Sequence, residues 1–576
     1  MRTLAGEDRL LFRVVRDGGG WTAMLVVVAL AGAAAELALP AVLGLAVDAA
    51  VGGDASPRWP VVACGLVVTL LVTDVLGDLA SGYGAARATA RLRRRLLRHL
   101  FALDVRTVRR YPVGDLVGRL AGQAADAGQA GTAVALGAIA VLPPLGSVVA
   151  LLLLEPVLGL TLLTGLAVLT VLMATFVTDA SAAVTGYQRV LGTIAGRLQE
   201  ALGGSRTIAA AGTTDAECAR VLATLPQLRG HGRLGWRLLA RANARVAAVA
   251  PLLQVAVVAV GGYALTVGWL TPGQLVAAVQ YAALGAGLGA VLATLNRLVR
   301  SRAAARRIAE PLSVEARPDG TEPLRPGGGH LRLRGVGVRA DDDRPILAAI
   351  DLDIPAGNTV AVVGRSGAGK SALAAVAGRL YDPDTGDVLL DGVPLSRLDQ
   401  AALRRAVGHA FDRPVLVGET VHDAIGLGLP ERSARPPSTG APATEAVLAA
   451  ARAAQVDGVV SRLPDGFRTP TAAAPLSGGE AQRIGLARAL HAERLLILDD
   501  AMSSLDTATE HRIAQTLTGP QAERTRLVVT HRVATAAAAD LVAWLDGGRL
   551  RALAPHRRLW TDPDYRAVFG GDGVLR

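Results

Sequence analysis

Gly364-Arg365-Ser366-Gly367-Ala368-Gly369-Lys370-Ser371 contains the one lysine among the 60 Lys and Arg residues of a 576-residue chain. Its glycines leave successive backbone N–H groups free to point at phosphate oxygens. The helix that follows adds the positive end of its dipole, and Ser371 offers a hydroxyl to Mg²⁺. A compact ammonium reaches the β- and γ-phosphates as a point charge, a task the broad guanidinium plane does not share. The flanks agree, since residues 359–363 read as a strand and 370–380 as a helix. The segment predicts a nucleoside triphosphate site.

Working back toward the N-terminus, the composition changes in kind. The chain is 51% hydrophobic. Six apolar stretches, at about 21–50, 59–83, 131–154, 156–178, 243–268 and 274–296, each approach the roughly 20 residues that cross a bilayer. A soluble core would not need six in succession. Arg2, Arg9, Arg13 and Arg16 precede the first stretch, Arg87 to Arg119 fill the second connection, Arg189 to Arg241 the fourth, and Arg297 to Arg307 follow the sixth. The alternate connections, around 52–56, 155–156 and 268–273, are short and nearly free of arginine. Lys and Arg in short loops stay cytoplasmic, so both termini are expected there. The net charge of +11 therefore reads as membrane flanks. With aromatics at 3%, no stacking platform for nucleic acid is apparent.

The first stretch has full membrane length and no small-residue cleavage site, so it reads as a span rather than a removed leader. Cys64 and Cys218 suggest neither a disulfide framework nor a metal site. The two long basic connections have helical periodicity, which predicts that spans two to five continue beyond the bilayer as rods. A Pro/Gly-rich stretch within 317–329 separates this half from the next. The expected organisation is a cytoplasmic segment 1–20, a six-span all-α membrane domain 21–305, a linker 306–329 and an α/β ATP-binding domain 330–570. Within the last, strands are expected at 330–338, 346–354, 359–363, 387–390, 495–498, 526–529 and 541–545. A helical insertion carries a Pro/Ser-rich segment at 433–444.

Further motifs follow the P-loop in a set order. Leu476-Ser477-Gly478-Gly479-Glu480-Ala481-Gln482-Arg483 places a hydroxyl and glycine N–H groups at a helix start. Leu495-Leu496-Ile497-Leu498-Asp499-Asp500 is an apolar strand ending in two carboxylates. Ser503-Ser504-Leu505-Asp506 and Thr530-His531-Arg532 come next. Together these resemble the ATPase domain of the ABC transporter superfamily, and with six spans ahead of it the chain resembles an exporter-type half-transporter. The resemblance implies ATP and Mg²⁺ as ligands, held by 364–371, with Asp499 on the metal. It implies Asp500 at the position of the catalytic base, His531 as the switch histidine and Asp506 in the D-loop. Ser477, Gly478, Gly479 and Glu480 form a signature that contacts the γ-phosphate held by a second subunit. Tyr111 to Leu120 and Arg197 to Ile208 resemble the intracellular loops whose short helices dock on the ATPase domain.

Several positions depart from that pattern. Asp500 stands where glutamate is usual, and Asp412 where a glutamine would meet Mg²⁺, so its arm is shorter and charged. Ala340 falls where an adenine-stacking aromatic is expected, and residues 469–475 lack the usual glutamate-bearing loop. These departures beside an intact signature resemble the degenerate half of heterodimeric exporters, with a homodimer using Asp500 as a working base as the alternative. Glu36, Asp74 and Asp78 lie within spans and serve equally a cationic or peptide cargo or interhelical hydrogen bonding. No peptidase domain is expected ahead of the first span, so a peptide cargo is expected to have its leader removed elsewhere. An arginine- and alanine-rich composition suggests a GC-rich bacterium and its inner membrane, with a peptide or secondary metabolite as cargo. Export leads, ahead of import by an exporter-type fold and of an ATP-binding regulatory subunit.

Overall fold

A computed structural model describes residues 6–53, 57–429, 444–518 and 523–570. The short connection near Ser56 and most of the Pro/Ser-rich segment at 433–444 lie outside them. Two compact units emerge: Met1–Phe101 with Tyr111–Val314, and Ala102–Arg110 with Glu315–Arg576.

The first unit is all helical. Among the described residues, three helical stretches, Gly20–Val51, Arg58–Ala102 and Val113–Leu154, are long and apolar enough to cross a membrane, with mean hydropathies of 2.2, 2.1 and 2.2. Pro156–Val168 and Pro251–Thr266 are apolar segments within longer helices. The expected rods appear as Arg58–Ala102, Pro156–Gly203 and Leu225–Thr266, of 45, 48 and 42 residues. At about 1.5 Å per residue each exceeds the thickness of hydrocarbon. Two stretches read as continuous are broken. The stretch at 131–154 divides into Ala130–Ile139 and Leu142–Leu154, the second helix opening with a proline in its first turn. The stretch at 274–296 divides between Pro272–Gly285 and Leu288–Ser313. Glycines at 285, 287 and 289 lower helix propensity there, and Gly287 N–H turns back to Leu284 O at 3.0 Å.

A charged network closes the base of this unit. Arg119, 4% exposed, donates to Asp115 Oδ2 at 2.7 Å and pairs with Glu310 at 2.9 Å, while Arg307 reaches Asp115 Oδ1 at 2.7 Å. These contacts join 115–119 to the helix that ends at Ser313. Tyr111 to Leu120 belongs to the helical unit. The residues of that connection which share a unit with the ATPase part are Ala102–Arg110. There Arg106 lies over the Tyr381 ring at 5.1 Å and 3.3 Å from Asp384.

The second unit holds two sheets. One is antiparallel, in the order β2 (Pro345–Ile354), β1 (Leu331–Arg339), β4 (Thr385–Leu390), β5 (Val393–Pro394). The other runs β10 (Arg549–Ala554), β9 (Leu541–Asp546), β3 (Thr359–Val363), β8 (Thr525–Val529), β7 (Leu495–Asp499), β6 (Val407–Phe411). From β9 to β6 all pairs are parallel. The Val-, Ile- and Leu-rich runs of β3, β7, β8 and β9 match strands buried on both faces. Ligands of such sheets bind beyond the carboxyl ends of the strands, and β3 and β7 end there in Val363 and Asp499. A second core gathers Val421, Ile425, Val447 and Ile484 in the helical insertion.

Candidate functional site

The loop that leaves β3 is shaped by close approaches. A Cβ at Gly364 would lie 2.4 Å from Leu545 O, and Gly369, at φ +94°, would place one 2.8 Å from Ile346 O. No other residue fits either position. Arg365, Ser366 and Gly367 are exposed at the tip and Ala368 is buried beneath it. Lys370 opens the helix Lys370–Ala377 and is 7% exposed. Its Nζ donates to Gly364 O at 2.8 Å and Arg365 O at 3.0 Å. Burial pushes this ammonium below the usual lysine range, and Asp500 and Asp499 oppose the shift.

One residue further on, Ser371 Oγ donates to Asp499 Oδ1 at 2.9 Å. Burial raises Asp499 above the ordinary carboxylate range; its bond from Ser371 opposes this, and Asp500 and Asp412 add to it. Asp500 is also raised by burial, against the pull of His531 and Lys370. His531 Nε2 stands 3.4 Å from Asp500 Oδ2. The backbone at Asp500 is left-handed, at φ +49°. Aspartate enters that region more readily than most residues, so the shorter acid suits the turn that carries it. Among the described residues no group of three or more His, Cys, Asp or Glu side chains could hold a metal by itself. Mg²⁺ asks for less: one or two carboxylates together with substrate phosphates and water suffice, and the Ser371–Asp499 pair fits that requirement.

Asp412 belongs to a different set of contacts. Its Oδ1 accepts from Ser503 Oγ at 2.7 Å and from Gln482 Nε2 at 3.2 Å. Ala340 lies in a tight turn in which it donates to Arg344 O at 2.8 Å, followed by Asp341, Asp342 and Asp343 with no aromatic side chain. In 469–475, Thr469 O accepts from Val421 N–H at 3.1 Å and Thr471 Oγ1 donates to Gly418 O at 2.8 Å.

The signature opens the helix Gly478–Ala489 with a reciprocal cap. Ser477 Oγ and N both donate to Glu480 Oε2, at 2.9 and 2.8 Å, and Glu480 N–H returns a bond to Ser477 Oγ at 3.3 Å. Donation from the Ser477 backbone, then from its hydroxyl, holds the Glu480 carboxyl below its ordinary range. Ser477 and Gly478 are exposed. Asp506 caps the helix Thr507–Thr518 by accepting from Thr509 N–H at 2.9 Å, which depresses its own titration. The structure thus brings Lys370, Ser371, Asp499, Asp500 and His531 together. Among the described residues no hydrogen bond or ion pair links Ser477, Gly478, Gly479 or Glu480 to 364–371. Sequence reasoning passed over Gln482, Ser503 and Arg532. A glutamine on the buried face of an otherwise apolar helix was the signal for the first.

Glu36 and Asp74 lie on neighbouring helices within Coulombic reach of each other. Cys64 and Cys218 are free and exposed.

The comparisons with known proteins agree with this geometry. Residues 347–503 match the family model described as ABC transporter, and 22–286 that described as ABC transporter transmembrane region. The chain is 47% identical over 549 residues to the ABC transporter ATP-binding protein RamA of Streptomyces coelicolor, covering 95% of this chain and 85% of that one. It is 35% identical to a multidrug efflux ATP-binding/permease protein of Mycobacterium tuberculosis over 65% of its length but only 31% of the relative's. An ATP-dependent lipid A-core flippase of Alkalilimnicola ehrlichii is 37% identical, the match covering 47% of this chain and 45% of that one. A solved bacterial Atm1-family ABC exporter with ATP bound superposes with a TM-score of 0.79 at 25% identity, covering 96% and 98% of the two chains.

This chain belongs to the ABC transporter family. It is an exporter-type half-transporter, a membrane domain fused to one ATPase domain that binds ATP and couples its hydrolysis to transport.

Proposed function

We propose that the chain is one half of a dimeric exporter in the bacterial cytoplasmic membrane. Mg²⁺-ATP at shared sites drives it between inward- and outward-facing states. Lys370 and the loop N–H groups hold the phosphates, Ser371 and Asp499 hold Mg²⁺, and His531 polarises the attacking water beside Asp500. The single observation that carries the dimer is the exposed, self-capped Ser477, which makes no bond to the P-loop of its own chain. A γ-phosphate seated on that helix start has to be held by another chain.

The partner in this reading is a different half-transporter. Asp500, Asp412 and Ala340 all depart from the family pattern at one site, whereas the signature does not. This chain's own site then turns over slowly, and its Ser477–Glu480 segment completes the partner's site. Relatives named for multidrug efflux and lipid A-core flipping favour an amphipathic organic cargo, a peptide or a secondary metabolite. Inside-out vesicles test the direction: ATP-dependent accumulation supports export, and ATP-dependent loss of preloaded cargo overturns it. For topology, a cysteine at Ser205 in a background lacking Cys64 and Cys218 should resist an impermeant maleimide in intact cells. Labelling there would reverse the orientation.

A further inference from the structure

Gln482 is 2% exposed and stands in the first turns of the signature helix, yet every hydrogen-bonding atom of its amide is engaged. Its Nε2 donates to Asp412 O at 2.6 Å, to Ser503 Oγ at 2.9 Å and to Asp412 Oδ1 at 3.2 Å. Its Oε1 accepts from Ser504 N–H at 3.0 Å. Because a backbone N–H can only donate, Ser504 sets the orientation of the amide. A carboxylate can only accept, so Asp412 obliges both Ser503 and Gln482 to donate to it. Hydrogen bonds to an ionised acceptor are the stronger class, and this one is satisfied from two segments at once.

The contact continues beyond the side chains. A Cβ at Gly479 would lie 2.9 Å from Ser504 O, so the start of the signature helix rests directly on 503–505. On its far side the same segment is gripped by Arg532, the residue after His531. Arg532 donates to Ser503 O at 3.0 Å and Leu505 O at 3.1 Å and pairs with Glu510. Asp412 also acts electrostatically on Asp499 and Asp500. One buried amide therefore ties the signature helix to the carboxylate facing the metal-binding pair and to the segment held next to His531. Pulling any of the three away leaves the buried Gln482 amide short of a partner, so they move together.

We infer that Gln482 is a positioning residue that carries the state of this chain's own nucleotide site to its signature helix, with Asp412 serving as the acceptor of that link rather than as a metal ligand. The inference rests on the reading in which the signature completes a partner's site. It gives the departure at Asp412 a use. A short, charged, accept-only side chain withdraws from the metal and fastens the loop to the helix that the partner sees.

The test uses the full-length chain with Cys64→Ser and Cys218→Ser and a reporter cysteine at Gly478, where a Cβ meets nothing within 4 Å. Maleimide labelling of the reporter is followed with and without Mg²⁺-ATP, and nucleotide affinity is read in parallel with a fluorescent ATP analogue. The expected response in the parent is about fivefold or more, the low end of ordinary coupling between sites. Gln482→Leu should reduce it to within about twofold while leaving nucleotide affinity within about threefold, and Asp412→Ala should reduce the response to the same extent. Asp412→Asn, whose amide oxygen still accepts, should retain it. If Gln482→Leu does not fold, Ser503→Ala removes one donor from an exposed residue and should give a partial loss. The inference is overturned by an unchanged response in Gln482→Leu or Ser503→Ala, or by no response in the parent. It also fails if Mg²⁺-dependent affinity drops about tenfold in Asp412→Asn and Asp412→Ala alike, the mark of a metal ligand. Rapid turnover of the isolated chain would sink the partner reading without altering this comparison.

Discussion

The P-loop end and the signature end of the site are built to opposite plans. At the first, a buried ammonium and two carboxylates raised by burial crowd around a left-handed backbone, and each charge is held with some reluctance. At the second, an exposed serine and glutamate satisfy one another in a reciprocal cap and need nothing else. The contrast teaches what each end awaits. Burying charge without a full set of partners is costly, so the first end gains when phosphates and Mg²⁺ arrive. A capped helix start is stable in water and loses nothing by waiting for another chain's phosphate.

The largest expected effect attacks the second end. Ser477→Arg puts bulk and positive charge at the shared contact. In the assembled pair it should lower turnover by about 10²-fold, as loss of a preorganised donor does. Asp500→Asn, at the slow site, should cost less than about tenfold, measured as ATPase rate in the same pair. Equal losses would erase the distinction between the ends. Next comes Lys370→Ala, which removes the one ammonium from the loop. Nucleotide affinity at this chain should fall about tenfold to a hundredfold, the worth of a charge-assisted bond, read by photo-crosslinking at sub-saturating ATP.

A third prediction follows from the raised carboxylates. Asp499 takes up its proton at a higher pH than an ordinary aspartate, because burial disfavours its charge. As pH falls, Mg²⁺-dependent nucleotide binding should therefore be lost earlier than an exposed carboxylate would dictate. Over the same fall the nucleotide-free fold gains stability, since the native state binds this proton more tightly than the unfolded chain does. Asp499→Asn should remove the first trend and weaken the second, Asp500 keeping its share, checked by nucleotide titration and thermal unfolding across pH.

The smallest effect lies behind the site, in β6. Both ring nitrogens of His409 are buried and, among the described residues, unpartnered, and burial pushes it down to about 4 from 6.5, with Arg404 and Arg488 adding to the shift. The unfolded chain binds this proton first, so stability should fall as pH drops from 6.5 toward 4. His409→Leu should flatten that loss and stabilise the chain by about 1–2 kcal/mol, because an unpaired polar group leaves the core. Unfolding midpoints at neutral and acid pH decide it.

The motif order was legible in the sequence because each piece answers a local need: glycines for close backbone approach, an apolar strand ending in acid, a Ser-x-x-Glu cap. Four of the parallel strands, β3, β7, β8 and β9, could be read for the same reason, from their Val and Leu runs; β6, Val407-Gly408-His409-Ala410-Phe411, has no such run and went unread. What escaped depended on tertiary partners. Nothing in Asp412 alone announces that Ser503 and Gln482 will claim its carboxylate. Likewise, the glycines at 285–289 looked tolerable inside an apolar stretch until the backbone had to choose between continuing and turning. Tyr111 to Leu120 was legible as a pattern, but its partners were not. Its Asp115 and Arg119 are committed to Arg307 and Glu310.

The central claim, that this chain's own site is the slow half of a pair, is tested most directly by the steady-state ATPase rate of the purified full-length chain in liposomes, with and without Asp500→Asn. The account predicts a rate far below the roughly 1–10³ s⁻¹ of ordinary enzymes, barely changed by the substitution. Rapid turnover by the chain alone, abolished by Asp500→Asn, would contradict it and make Asp500 a working general base.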